Sequence, residues 1–509
     1  MPRNNFFHKI GLLKQGFSDQ GFYVKRLLDF NVKIYLKNLN KFSYEELHDT
    51  GARRALRLFH LAAKRAPAYK DFLNKNRINP ERIKRAGDLN FIPPINKDNY
   101  ITNYPFQSQL IDGEYRNISL FSVSSGSSGK PTFWPRSTYL EYETAILHEV
   151  FLETFFQISK LRTLAIVAYS MGLYVAGTFT VQSLQHLSRK GYPIYVLSPG
   201  INISEIIDVL VSWNQQIDQV IIFGYPPFVK DIIDQALKLN DRVFKKKVGF
   251  IFGAESFSEE WRENILSRVG IQNETDIIMS SMNTYGSADA AILGHETPLS
   301  IAFRRLINKQ QKNESLFGQK DLPTIVQYNP LMKYFQAEGE KLIFTANAGV
   351  PLIRYDIGDL GGIIPQEKYR DTDIDQEHGV WKRLPMLYLR GKSTNVATIY
   401  GVKIFPENIK TALEDVEIEK LVSGKFVLET KYDLDNNQYL QINIETSDET
   451  IITQDNKNII ISLIYSKLLQ SNLEFRQLES KIGKRALPKV SFFQRGYFAL
   501  QKSKHKWIN

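Results

Sequence analysis

The chain of 509 residues contains no cysteine. That excludes a disulfide scaffold, a thiolate-ligated zinc or iron–sulfur centre, and a cysteine nucleophile. No run of about 18 apolar residues occurs, so no transmembrane helix is expected. The N-terminus lacks a continuous apolar segment, because charge breaks Phe6-Phe7-His8-Lys9-Ile10-Gly11-Leu12-Leu13-Lys14. No secretory signal is read there, and a cytoplasmic location is expected. The eight histidines are scattered without metal-ligand spacing. There is no Gly-x-Ser-x-Gly elbow to support a hydrolase triad. Internal repeats and low-complexity segments are absent as well. What remains is 43% hydrophobic and 12% aromatic residues, a globular composition rather than a disordered one. The length suggests roughly two to four domains.

The formal charge is +11, which raises the question of nucleic acid or a membrane surface. Its placement matters more than its size. Residues 1–41 carry +6, residues 481–509 carry +8, and the 439 residues between sum to −3. The body is nearly neutral and the basicity is terminal. Nucleic-acid or membrane-surface binding therefore rests on the termini alone, and no nucleic-acid partner is expected.

Residues 1–115 read as mostly helical, with Leu56, Phe59, His60, Ala63 and Ala66 at helical spacing and Pro67 marking the end of that pattern. From about 118 to 345, short apolar runs alternate with amphipathic ones. Expected strands are Ile118–Val123, Thr163–Tyr169, Ile194–Leu197, Gln219–Phe223, Val248–Gly253, Asp276–Ser280 and Leu342–Thr345. Expected helices between them include Tyr139–Phe156, Ser204–Gln215, Phe228–Leu239 and Ser258–Val269. This alternation predicts an α/β fold whose large N-terminal domain has mostly parallel, helix-covered sheets. Ligands in such sheets sit at the carboxyl ends of strands. From about 391 the character changes to a small α+β domain. Its expected elements are helix Pro406–Leu413, strands Lys425–Lys431 and Tyr439–Glu445, helix Asn456–Leu473 and strand Lys489–Phe493. The expected division is a basic N-terminal helical extension at 1–50, a large domain at 51–390 and a small C-terminal domain at 391–509.

The sharpest local signal is Ser124-Ser125-Gly126-Ser127-Ser128-Gly129-Lys130-Pro131, directly after an expected strand. Two glycines allow a tight turn around an anion, and hydroxyls with one ammonium suit phosphate oxygens. It is not a Walker A loop, which needs four residues between its glycines and a Ser/Thr after the lysine. Here two residues separate Gly126 and Gly129, and Pro131 follows Lys130.

This loop resembles the phosphate-binding loop of the adenylate-forming superfamily, which includes acyl-CoA synthetases and nonribosomal adenylation domains. The branch it resembles is that of phenylacetate–CoA ligase and its relatives in capsular polysaccharide biosynthesis. Arg65-Ala66-Pro67-Ala68-Tyr69, Ile92-Pro93-Pro94-Ile95-Asn96-Lys97 and Phe223-Gly224-Tyr225-Pro226-Pro227 resemble that branch in the same order. The resemblance implies roles along the chain. Gly253, Ala254 and Glu255 would lie against adenine. Tyr285, Gly286 and Ser287, within Asn283-Thr284-Tyr285-Gly286-Ser287-Ala288-Asp289, resemble the pattern Tyr-Gly-x-Thr-Glu. Tyr285 would stack on adenine, and Asp289 would hold Mg²⁺ on the phosphates, with Ala288 replacing the usual threonine. Asp359 would accept the ribose hydroxyls. Lys392 stands where the family has an arginine, and Asn395 stands near its hinge aspartate.

The small domain would be mobile and would carry a catalytic lysine. Lys504 is the candidate, with Ser503 in place of the usual glycine and with Lys502 and Lys506 as alternatives. The implied activity is ATP- and Mg²⁺-dependent activation of a small carboxylic acid as an acyl adenylate. Transfer to coenzyme A would follow, with an amine or a carrier-protein thiol as the alternative acceptor. A degenerate member that binds nucleotide without turnover is the competing reading. Tyr169, Tyr225, Phe228, Met279 and Met282 are candidates for the acid pocket, and His295 is a candidate to line it.

Overall fold

The computed structural model describes residues 30–115, 118–124, 132–212, 217–240, 243–319, 322–370, 381–392, 396–415, 417–418, 421–447, 453–495 and 497. Among these, the first long helix, Tyr44–Arg65, starts at a capping box in which Ser43 and Glu46 bind each other's backbone N–H. It runs through the expected boundary at 50/51. It ends before Pro67, whose missing N–H cannot continue the ladder but suits the first turn of the next helix, Pro67–Lys75.

A hairpin of β1 (Ile118–Ser124) and β2 (Thr132–Ser137) pairs Ser124 with Thr132. The glycine–serine loop at 125–131 connects these two strands and lies outside the described residues. Ile118–Val123 thus belongs to a separate two-stranded sheet and not to the main one.

The main sheet contains β3 (Thr163–Ala168), β4 (Ile194–Leu197), β5 (Gln219–Gly224), β6 (Lys247–Gly253), β7 (Ser281–Ser287), β8 (Ala291–His295), β9 (Thr324–Gln327), β10 (Tyr334–Glu338), β11 (Lys341–Ala348), β12 (Val350–Ile364) and β13 (Met386–Lys392). Their order is β10-β11-β12-β13-β9-β8-β7-β6-β5-β3-β4. The run β4-β3-β5-β6-β7 is parallel, as the alternation of strand and helix indicated. Strands β3, β5 and β6 are apolar along most of their length because both of their faces are buried. From β7 outward the pairing is antiparallel.

The expected strand Asp276–Ser280 is a helix, Glu274–Ser280, and β7 begins one residue later. Asn273 explains this. Its side chain accepts the Asp276 N–H at 2.8 Å and caps a helix start. A second sheet holds β16 (Val422–Tyr432), β17 (Gln438–Thr446) and β18 (Lys489–Phe493), preceded by the ribbon β14 (Ala397–Ile399) and β15 (Val402–Ile404). Helices Pro406–Leu413, Gln454–Ser471 and Leu473–Ile482 accompany it. Among the described residues no helix is long and apolar enough to cross a membrane.

A buried charge cluster fixes the middle of the main sheet. Arg262 and Glu296 are fully buried, and Glu259 is only 2% exposed. Arg262 meets Glu259 at 3.0 Å and Glu296 at 2.7 Å. Arg304 and Arg305 also pair with Glu259. Burial alone would raise the Glu259 pKa, but the three guanidiniums outweigh it and hold it below the ordinary carboxylate value. The second oxygen of Glu296 accepts the Asn283 N–H at 2.7 Å, so the cluster sets the position of β7. Removing one partner from a buried cluster strands the rest. Glu259→Ala should therefore lower the unfolding free energy by roughly 3–5 kcal/mol, read from urea denaturation. A loss below about 1 kcal/mol, the size of a surface pair, would contradict this.

Candidate active site

Strand β6 ends in Gly253, and β7 runs parallel beside it with Gly253 opposite Thr284. An added Cβ at Gly253 would lie 2.9 Å from the Thr284 hydroxyl and 3.0 Å from that of Tyr169, so only glycine fits. Ala254 then turns with φ 69°, a left-handed conformation that favours glycine. Asn283 donates to the Glu255 carbonyl at 2.9 Å and holds this turn against β7. The two loops expected to face adenine, Gly253–Glu255 and Tyr285–Ser287, therefore stand side by side at the carboxyl ends of adjacent strands.

Strand β12 reaches the same place from the antiparallel half. Tyr285 donates its hydroxyl to Asp359 at 2.6 Å. Tyr355, also on β12, donates to Asp289 at 2.6 Å. Each side supplies one phenol and one carboxylate, so β12 and the β7 turn are cross-linked twice. Burial and then the neighbouring carboxylate push both phenol pKa values far up, which keeps Tyr285 and Tyr355 neutral donors. The β12–β13 register sets Lys392 opposite Asp359. The expected ribose carboxylate and the expected hinge lysine are thus neighbours in the backbone.

The motif ending in Lys97 reaches the same region. Ile95 exchanges backbone hydrogen bonds with Arg354 and Asp356 on β12. That clip brings the Lys97 ammonium 3.1 Å from the Ser124 hydroxyl, at the mouth of the glycine–serine loop. The Trp134 indole donates to the same hydroxyl at 3.0 Å. Sequence reasoning used Lys97 only as part of a motif. Its signal was a cation next to a Pro-Pro break, which becomes meaningful only through the bond to Ser124.

Asp289 is 5% exposed, and one of its oxygens is engaged by Tyr355. Arg136, which is fully buried, lies close enough for its charge to act with Asp289. Among the described residues, no three His, Cys, Asp or Glu side chains converge on one point. A hard oxygen donor of this kind fits Mg²⁺ that arrives on phosphates, because such an ion keeps phosphate oxygens and water for most of its shell.

The remaining candidates divide. Tyr169 and Tyr225 pack edge to face at 5.1 Å, near the ends of β3 and β5. Phe228 and Met282 are fully buried core residues. His295 lies in the packed interior. It is buried among Phe151 and Trp381, bonds the Glu296 carbonyl, and burial pushes its pKa down to about 4. Ser125, Gly126, Ser127, Ser128, Gly129, Lys130, Asn395, Lys502, Lys504 and Lys506 lie outside the described residues, as does the side chain of Lys392.

No protein-family profile matches the chain. Phenylacetate-coenzyme A ligase of Thermus thermophilus is 20% identical over 384 residues, 75% of this chain and 78% of that protein. The Escherichia coli enzyme of the same name is 22% identical over 384 residues, 74% of this chain and 78% of its own length. Among solved structures, 2-hydroxyisobutyryl-CoA ligase with its acyl-AMP and CoA, in the thioesterification state, superposes with a TM-score of 0.60 at 15% identity, covering 91% of this chain and 89% of that one. The same ligase in an open conformation gives 0.52 at 15% identity, covering 92% of each chain. Its postadenylation state gives 0.50 at 15% identity, covering 90% of this chain and 88% of that one. Over about three quarters of its length the chain is similar in sequence to phenylacetate–coenzyme A ligases, and it shares its fold with an acyl-CoA ligase.

Proposed function

We propose that this protein activates a small carboxylic acid with ATP and passes the acyl group to coenzyme A. The observation that carries this reading is the convergence of Gly253–Glu255, Tyr285 and Asp359 beside the Lys97–Ser124 contact. A flat base, a ribose and a phosphate chain need those three chemistries in that order. The small glycine–alanine turn admits the base. Tyr285 offers a ring face. Asp359, already accepting one hydroxyl, can accept those of a ribose. Lys97 and the 125–131 loop supply positive charge and hydroxyls for phosphates.

In the first step, a carboxylate oxygen of the acid attacks the α-phosphorus of ATP. The bond to the pyrophosphate oxygen breaks, leaving an acyl adenylate and pyrophosphate. Asp289 would hold Mg²⁺, which supplies charge neutralisation at the phosphates. Lys504 is the proposed catalytic residue, its ammonium offsetting negative charge that grows during displacement. In the second step, the thiol sulfur attacks the acyl carbonyl, AMP leaves, and the thiol proton is lost to solvent or base. Residues 391–509 are proposed to act as a small domain that changes orientation between the two steps. The higher superposition score with the thioesterification state of a CoA ligase supports reading the present orientation as that of the second step. The relatives' shared name supports coenzyme A over an amine as acceptor.

Asp359→Ala should raise the apparent KM for ATP by about ten-fold or more, the size of a lost charge-assisted contact. Normal ATP use by that variant would refute the ribose role. Lys97→Met should weaken MgATP binding in calorimetry by about ten-fold and leave AMP binding nearly unchanged. Equal loss for both nucleotides would remove Lys97 from the phosphate end. Lys504→Ala should cut pyrophosphate release by about 100-fold or more. Little change would transfer that role to Lys502 or Lys506.

A further inference from the structure

Glu255 has a second set of contacts that nucleotide binding does not explain. One carboxyl oxygen accepts the backbone N–H of Gly401, and the other accepts the side-chain amide of Gln438. Both partners belong to the C-terminal unit, one in the β14–β15 turn and one at the start of β17. Gly401 has φ +78°, and an added Cβ there would sit 2.5 Å from the Tyr225 ring. The turn therefore approaches the site as closely as backbone allows. Two further polar contacts accompany it. Arg485 pairs with Asp231 at 2.5 Å, and Lys230 reaches Asn437 at 2.8 Å. Glu255 is unlike these, because its two partners are neutral dipoles rather than a cation.

We propose that Glu255 is a positioning residue whose carboxyl group latches the C-terminal unit onto the nucleotide-site loop, and that docking takes up a proton. The strained turn at Ala254 aims the side chain toward Gly401 rather than toward β7. The titratable groups facing it are the phenols of Tyr225 and Tyr432, with Glu474 acting on Tyr225. None of these is a cation. Burial pushes the Glu255 pKa up to about 7, and the N–H donors of Gln438 and Gly401 only partly offset this. Undocked, the carboxyl group meets water and titrates near its ordinary value. The sign follows from linkage. Docking is fully favoured below the ordinary carboxylate pKa. It weakens by about ten-fold per pH unit as pH rises toward 7, and then levels off.

The proposal rests on the reading that residues 391–509 move, and its test needs no acid or ATP. The chain has no cysteine, so introduced thiols take label alone. Tyr195 and Ile459 are exposed, one on the main sheet and one on a C-terminal helix. With Tyr195→Cys and Ile459→Cys spin-labelled, electron–electron distance distributions are recorded from pH 5 to 8. The expected result is a docked population that falls across pH 5–7 and levels above it. Glu255→Gln should abolish that pH dependence. Gln438→Leu, which removes one donor to the carboxylate, should move the levelling point to higher pH. A distribution that ignores pH in the parent would overturn the proposal, as would the same shift in Glu255→Gln or an unmoved profile in Gln438→Leu. Absence of carboxylate activation with every acid would overturn the proposed function and leave this measurement unaffected.

Discussion

The site depends on two reciprocal hydrogen bonds between tyrosine and aspartate. Tyr285 on β7 donates to Asp359 on β12, and Tyr355 on β12 donates to Asp289 beyond β7. These strands are not neighbours in the sheet, where β8, β9 and β13 lie between them. The antiparallel half must therefore curl until its long strand faces the carboxyl ends of the parallel half. Without that curl, the Gly253–Glu255 turn and the Asp359 carboxylate would sit on opposite parts of the sheet. Charge-assisted bonds of this type are roughly twice as strong as neutral ones. Burial keeps the phenols protonated, so the donors stay in place across the working pH range.

Behind these bonds stands the Glu259–Arg262–Glu296 cluster, which holds Asn283 and hence the β7 turn. In front stands the clip between Ile95 and β12, which carries Lys97 to Ser124. The same β12 segment, Arg354–Asp359, thus holds both the Ile95 clip and the Tyr285–Asp359 bond, the proposed phosphate and ribose ends. One strand would then position groups for two parts of the proposed nucleotide, and the neutral body leaves positive charge to local residues such as Lys97.

Much of this was legible in the chain, and the reasons for the exceptions are physical. Parallel strands β3, β5 and β6 announced themselves because both faces are buried, which makes their apolar runs continuous, whereas the polar β7 did not. Lys489–Phe493 also matched the observed strand, although none of its residues is fully buried. Strand β12 was not visible as one element, because Gly358, Gly361 and Gly362 and the buried charges of Arg354 and Asp359 interrupt its apolar pattern. The run Ile277-Ile278-Met279 suggested a strand, but the Asn273 cap decides for helix. Helix Leu473–Ile482 was missed because Asn472 ends one helix and caps the next. Asp359, Tyr285 and Asp289 could be singled out by resemblance, yet their pairing could not, since the partners lie 74 and 66 residues apart. Glu255 illustrates the limit most clearly. Its place next to Gly253 and Ala254 suggested adenine, and nothing local announced its partners Gly401 and Gln438, 146 and 183 residues away.

The central claim is carboxylate activation at this convergence of loops. Acid-dependent exchange of labelled pyrophosphate into ATP, run across aryl and short aliphatic carboxylic acids, tests it most directly. The account predicts exchange with at least one acid class, requiring Mg²⁺ and strongly reduced in Asp359→Ala. Tight ATP binding with no exchange for any acid would contradict it and identify the chain as a nucleotide-binding member without this chemistry.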